Sequence, residues 1–199
     1  MTPTITNIVA TFRLGKFFFC ERAVRWIARY GVNTEYNPRK FHSLVMRLRR
    51  SGSTVSALIF RNNKVVLSGA KSISDVTKCA KKVVKYVNHA LNTGAKEIND
   101  SRHAGNCKVT KLEIRNIVAT AAMPFRLNIE KLNGNCIFCK SIYDPTIFPA
   151  LRTKFLCNSN KLSINFFASG KLVITGAKDV DQIDCCIKIL SDFLPRFKR

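Results

Sequence analysis

Polar and apolar residues alternate over Ile5–Leu14, with Ile8, Ala10 and Phe12 on one side and Asn7, Val9 and Thr11 on the other. That two-residue period predicts a strand. After Gly15 the period lengthens: Val24, Ile27 and Ala28 recur among Arg22, Arg25 and Arg29, predicting a short helix over Glu21–Tyr30. Gly31 reads as its stop, and Asn37-Pro38 as a turn. Phe41–Arg50, which mixes apolar and basic residues, predicts a second strand. A turn at Ser51-Gly52-Ser53 leads into Thr54–Phe60, where Val55, Ala57 and Ile59 oppose Thr54, Ser56, Leu58 and Phe60. Arg61-Asn62-Asn63 is a tight hairpin connection into Lys64–Gly69. Ile73–Leu91 then predicts a long amphipathic helix, with Val76, Ala80, Val83, Val87 and Ala90 inward and Lys78, Lys81, Lys82 and Lys85 outward.

Residues 92–110 lose all periodicity and read as a linker, after which the same order recurs. Leu112–Thr120 predicts a strand and Asn128–Leu132 a brief helix. Phe148–Cys157, Lys161–Ala168 and Lys171–Gly176 predict strands, and Val180, Ile183, Ile187, Leu190 and Leu194 space a last helix. The recurrence extends to the residues themselves. ALIFRNNKVVLSGAK at 57–71 returns as NFFASGKLVITGAK at 165–178, and NIVAT stands at both 7–11 and 116–120. Phe41 and Phe60 are 19 residues apart, as are Phe148 and Phe167, 107 positions later. The chain is therefore an internal duplication, with repeats at 1–91 and 111–199. Each repeat is an α+β unit whose helices cover one sheet face.

The opposite face is where the pattern departs from an ordinary sheet. It carries Val9, Leu58, Phe60 and Val66, then Val118, Phe167 and Val173, mixed with Asn7, Thr11, Ser68, Asn116, Thr120 and Thr175. A solvated sheet face should be polar, and an exposed apolar patch generally marks a binding surface.

Charge narrows what that surface binds. The 199 residues hold 34 Lys+Arg against 12 Asp+Glu, a formal net charge of +22, which points to a polyanion. The excess is uneven: 17 basic against 3 acidic residues over 1–91, and 14 against 7 over 111–199. Apolar groups with a few amides and a cationic border suit the DNA minor groove, whose floor offers acceptors and sugar edges. Asn7 and Asn116 are candidate donors to adenine N3 and thymine O2. Around them Lys40, Arg47, Lys64, Lys71, Lys154, Lys171 and Lys178 are candidate phosphate contacts. The four phenylalanines are candidate wedges that unstack base pairs and kink the duplex.

Other chemistries find little support. His42, His89 and His103 are scattered, and no catalytic triad, carboxylate pair or phosphate loop stands out, so no catalytic residue is assigned and an enzyme is not expected. His42 belongs at the rim. Cys136-x2-Cys139 lacks a second pair, so no metal or other cofactor is expected, and the eight cysteines read as reduced thiols. Cys139 and Cys157 are expected to be buried packing residues. Met1–Leu14 lacks a basic start followed by a long apolar core, so a secretory leader is not expected there, and no apolar run is long enough to span a membrane.

At this point the motifs converge. NIVAT at 7–11 and 116–120, EYNPRKF at 35–41, ALIF at 57–60, SGAK at 68–71, YDPTIFP at 143–149 and TGAK at 175–178 resemble the TATA-box-binding protein family over residues 5–198. The resemblance implies two pseudo-symmetric repeats forming a saddle-shaped, ten-stranded curved antiparallel sheet, with the concave face on DNA and four helices on the convex side. It implies intercalating pairs Phe41/Phe60 and Phe148/Phe167, and central Asn7 and Asn116 flanked by Val9 and Val118. Thr11, Leu58, Val66, Ser68, Val173 and Thr175 would line the groove, with Pro149 beside Phe148. Implied partners are double-stranded promoter DNA and the general transcription factors IIA and IIB. The Lys78, Lys81, Lys82 and Lys85 face would dock factor IIA or a regulator, and a homodimer off DNA and a nuclear location are further expectations. The chain departs from the family in several places. Ser163 and Asn165 replace aliphatic residues on the concave strand, Ser68 stands where threonine is usual, and Thr146 replaces an acidic residue in the region resembling the factor IIB contact. The loop before Glu35, the turn at 51–53 and the linker are longer. The function implied is a transcription initiation factor that binds and bends TATA-like DNA. The alternative is a paralogue serving mainly as a protein scaffold with altered TATA preference, and a single-stranded RNA binder is a third reading.

Overall fold

Ten strands and four α-helices form, the number the family resemblance implies, in a computed structural model that describes every residue except 17–18, 51–52, 100–103 and 158–159. The first half gives β1 (Thr4–Gly15), α1 (Glu21–Tyr30), β2 (Thr34–Tyr36), β3 (Ser43–Arg50), β4 (Ser53–Phe60), β5 (Lys64–Ala70) and α2 (Ile73–Glu97). The second gives β6 (Lys108–Ala122), α3 (Ile129–Leu132), β7 (Lys140–Asp144), β8 (Phe148–Cys157), β9 (Asn160–Phe167), β10 (Lys171–Ala177) and α4 (Val180–Phe193), closed by a 3-10 turn at Leu194–Phe197. The strands form one sheet in the order β2-β3-β4-β5-β1-β6-β10-β9-β8-β7. Hairpin neighbours pair antiparallel throughout.

Two compact units result, the first Ile8–Arg115 and the second Met1–Asn7 with Asn116–Arg199. In the first, Ile8, Ala10, Phe12, Leu44, Met46, Ala57, Ile59, Val65 and Leu67 are buried together with Val76, Ala80, Val83, Val87 and Ala90 of α2. In the second, Ile117, Ala119, Leu151, Ile164, Phe166, Leu172 and Ile174 are buried with Ile183, Cys186, Ile187 and Leu190 of α4. Each fully buried aliphatic side chain stabilises the fold by about 1.5–3 kcal/mol. The period-two positions predicted to face the helices are thus the core.

Several boundaries differ from the pattern, each for a tertiary reason. Helix α2 does not stop at Leu91 but continues to Glu97, so residues 92–97 of the expected linker are helical, and 108–110 already belong to β6. Gly94 looks like a break in sequence; in the helix its missing side chain is what admits Trp26, since a Cβ there would lie 2.3 Å from the indole. Tyr30 Oη donates to Glu97, and Asn88 pins the returning chain by accepting from Cys107 N–H at 2.7 Å and donating to its carbonyl at 3.1 Å. Gly31 ends α1 in extended geometry rather than a left-handed cap (φ −75°, ψ 154°). A Cβ at Gly31 would lie 2.3 Å from the Ile27 carbonyl oxygen. The second strand begins at Ser43, leaving Phe41 outside it, and the short strands β2 and β7 gave no periodic signal. Leu194 falls in the 3-10 turn, not in α4. The predicted turn at 51–53 and His103 lie, at 51–52 and 103, outside the described residues.

Candidate nucleic-acid interface

Strand register decides which side chains share the half-exposed face. In the first unit one row runs Val45, Leu58, Val66, Thr11, each directly paired with the next. A neighbouring row pairs Arg47 with Ser56 and Ser56 with Ser68. In the second unit the corresponding rows run Arg152, Asn165, Val173, Thr120 and Lys154, Ser163, Thr175. Paired Cβ atoms in such rows lie about 4.5–5.5 Å apart, so each row presents a continuous strip. Val9, Leu58, Val66, Ser68, Val118, Val173 and Thr175 are all half-buried, accessible but hemmed in by their neighbours. Thr11 is the exception at 7% exposure, its hydroxyl oxygen accepting from Arg115 Nε at 2.9 Å.

The duplicated motifs meet at two bulges. Ile174 pairs with Ala119 but Ala177 with Ile117, so TGAK slips by one residue against NIVAT. Ile8 pairs with Ala70 and Ala10 with Leu67, giving the same slip against SGAK. An extra residue in one strand needs unusual backbone geometry, and Gly69 (φ 105°) and Gly176 (φ 97°) supply it. At the second bulge the Gly176 N–H donates to Asn116 Oδ1 at 2.8 Å. With its oxygen engaged, the Asn116 carboxamide keeps its Nδ2 hydrogens as the donors it can offer a ligand. In the second copy, NIVAT and TGAK are therefore a piece of sheet geometry that aims an amide. The turn before each of these strands also needs positive φ, met by Asn63 (φ 63°) in one copy and Gly170 (φ 90°) in the other.

Each phenylalanine pair is assembled within its own unit. Phe41 and Phe60 have ring centroids 6.4 Å apart at 72°, and Phe148 and Phe167 have centroids 6.1 Å apart at 67°. Both are edge-to-face arrangements. Phe41 is 47% exposed and the other three rings are half-buried, so none is sealed in the core. Pro149 is exposed beside Phe148, and the Arg152 guanidinium stands 5.8 Å from the Phe148 centroid. His42 is exposed next to Phe41, as expected for a rim.

Lys40, Lys71, Lys154, Lys171 and Lys178 are exposed, and Lys64 is half-buried. Arg47 bonds Glu35 at 3.1 Å, with both side chains at least half exposed. Such a surface pair is worth about 0–1 kcal/mol and is readily exchanged for a phosphate. Lys78, Lys81, Lys82 and Lys85 are exposed on α2, away from the sheet face. In the YDPTIFP segment the Thr146 hydroxyl and N–H both donate to Asp144 Oδ1, at 2.6 Å and 3.0 Å. The hydroxyl bond is the leading cause holding the Asp144 carboxyl below its ordinary pKa.

The thiols divide by burial. Desolvation pushes Cys107 and Cys157 up to about 11 and Cys186 to about 12, which keeps them protonated and unreactive. Cys139 is exposed, contrary to the expectation that it is packed inside, because it precedes β7 in a surface turn. Among the described residues no group of three or more His, Cys, Asp or Glu side chains is placed to hold a metal ion, and no helix is long and apolar enough to cross a membrane.

Pattern reading missed Arg152. Its signal was available: position 152 is 107 beyond Val45, the same offset that aligns the phenylalanines, and a guanidinium there replaces an aliphatic group on the accessible face.

Comparison with known proteins agrees with this geometry. Residues 2–90 and 111–197 match the family described as Transcription factor TFIID (or TATA-binding protein, TBP). The chain is 32% identical to the TATA-box-binding protein of Emericella nidulans over 97% of its own length and 65% of that protein's. It is 31% identical to the Saccharomyces cerevisiae TATA-box-binding protein, over all of the chain and 74% of that protein. The solved structure of Methanococcus jannaschii TBP superimposes with a TM-score of 0.70 at 27% identity, covering 96% of this chain and 97% of that one. With both repeats matched, the chain belongs to the TATA-binding protein family.

Proposed function

We propose that this protein is a general transcription initiation factor that binds TATA-like promoter DNA through the minor groove, bends it and recruits the pre-initiation machinery, with 1–91 and 111–199 as its two repeats joined by 92–110. The observation that carries the reading is the pair of edge-to-face phenylalanine couples, Phe41/Phe60 and Phe148/Phe167, left accessible rather than packed beneath helices. Aromatic wedges at a base step unstack it and widen the minor groove. Asn116, with its oxygen held by Gly176, offers amide hydrogens to the acceptors of an A·T pair, and Asn7 has the same role in the first copy of the motif. Half-buried valines and Leu58 pack on the sugars, and the exposed lysines neutralise phosphates. The reaction is binding and deformation without covalent chemistry, and no cofactor takes part. The names of the relatives support the TATA preference, and a nuclear location is proposed with the initiation role.

Factor IIA or a regulator docks on the Lys78, Lys81, Lys82 and Lys85 face of α2, and factor IIB at the 143–149 segment. There Thr146 in place of an acid lowers the attraction for a basic partner. The test is affinity for a TATA duplex against a G·C-substituted one at fixed salt. A preference above about tenfold, ~1.4 kcal/mol, is expected. A smaller ratio favours the scaffold reading, which the polar Arg152 and Asn165 on the second face would then explain.

A further inference from the structure

We propose that the second unit hydrogen-bonds a G·C base pair at the position where the first unit admits only A·T, and that Asn165, set beside Arg152, is the residue responsible. The inference rests on the minor-groove reading above and adds an asymmetry to it.

The argument begins with register. Asn165 and Leu58 occupy the same place in their two copies: each is paired with a valine on the next strand, Val173 and Val66. On the other side Leu58 faces Val45, whereas Asn165 faces Arg152. The two substitutions are thus neighbours, and the rest of the row keeps its character, with Thr120 next to Val173. The change is local to β8 and β9 and leaves the bulge and Asn116 untouched.

The chemistry of the groove floor gives the change a meaning. A·T pairs present only acceptors in the minor groove, and G·C adds one donor, the guanine N2 amino group. Opposite Val45, Leu58 and Val66 that amino group would lose water and find no acceptor, the penalty by which an apolar site excludes it. A carboxamide offers both an acceptor oxygen and two donor hydrogens. Asn165 Oδ1 can therefore accept from guanine N2, and its carboxamide makes no hydrogen bond to a described residue that would prevent this.

Its charged neighbours, Arg152 and Lys154, are each already engaged elsewhere. Arg152, Lys154 and Asn165 line a hollow of about 260 Å³. Arg152 is a donor only and stands over the Phe148 ring, while Lys154 Nζ donates to Ser163 Oγ at 2.5 Å. Of Arg152, Lys154 and Asn165, only the carboxamide of Asn165 has an acceptor, so its oxygen is the group among the three that a guanine amino group could meet. The hollow also leaves room for that group, where the first unit has an aliphatic surface.

The test is a selection from random duplexes with the full chain, followed by the same selection with Asn165→Leu and, separately, Leu58→Asn. Wild type is expected to yield an asymmetric motif, one half confined to A·T and the other enriched in G·C at one or two positions. A G·C pair moved into the restricted half should weaken binding by about tenfold or more. Asn165→Leu should return a motif that is A·T in both halves, and Leu58→Asn should admit G·C in both. Leu58→Asn keeps the test informative should Asn165→Leu fold poorly. Selected sites that are A·T-rich and equally strict in both halves overturn this inference while leaving minor-groove binding intact. Failure to enrich any duplex overturns both.

Discussion

The two units carry the same strands; their helix-facing sides are apolar throughout, whereas their accessible sides differ at particular positions. Ile59, Val65 and Leu67 of the first and Phe166, Leu172 and Ile174 of the second are all apolar and fully buried. On the accessible side Val45 and Leu58 are matched by Arg152 and Asn165. The helices differ too: α1 has 10 residues against 4 for α3, and α2 has 25 against 14 for α4. A close-packed interior tolerates little change in volume or polarity, whereas a face that meets a ligand can diverge with what it meets. The duplicated fold is therefore a constant frame, and the partner is written on the accessible surface.

That contrast can be broken most forcefully at the wedges. Replacing Phe148 and Phe167 by alanine should remove the kink at one end of the site, and replacing Phe41 and Phe60 the kink at the other. Stability should change far less, because these rings are accessible. A two-dye distance assay reads the bend; equal bending by wild type and either double variant would exclude the wedge role.

The bulge glycines come next and should be unequal. Both have positive φ, where a Cβ costs about 1–2 kcal/mol. A Cβ at Gly69 would also lie 2.5 Å from the Thr54 carbonyl oxygen, against 3.3 Å from that of Lys161 at Gly176. Gly69→Ala should thus cost about 3 kcal/mol in denaturant unfolding, since overpacking adds to the strain, and Gly176→Ala about half that. Identical costs would show that the first bulge relaxes.

Lys171 and Lys64 occupy equivalent strand starts, one exposed and one half-buried. Lys171→Ala should flatten the logarithmic salt dependence of DNA binding by about one unit, and Lys64→Ala by less. An unchanged slope removes Lys171 from the phosphate contacts.

The smallest effect concerns the thiols. Cys136 and Cys139 should react with an alkylating reagent in the native state at pH 8, and Cys107 and Cys186 only on unfolding. Because burial raises Cys107 to about 11 and Cys186 to about 12, the unfolded chain ionises first. Their contribution to stability is intact below the ordinary value of 9.0 and falls as pH rises through 11 and 12. Native labelling of Cys186 as fast as Cys139 would contradict the packing of α4.

Much of this surface is legible in the sequence. Alternation over 54–60 separates Ile59 from Leu58, and the 107-residue offset picks out both phenylalanine pairs. What misled was local chemistry with a distant cause. Asn92-Thr93-Gly94 reads as a helix end, yet Gly94 is there for Trp26; Gly31 does stop its helix, but it is small because Ile27 and Thr34 crowd it. Thr11 continues the accessible alternation in sequence, and Arg115 covers it in space.

By itself the sequence determined the duplication, the strand faces and the cationic balance, because each is a periodic or compositional property of neighbouring residues. Only the tertiary structure decided that NIVAT meets TGAK at a bulge, that Asn116 turns its oxygen inward to Gly176, and that Arg152 sits against Asn165. Those are matters of cross-strand register, set by hydrogen bonds between segments far apart in the chain, and no local period carries them.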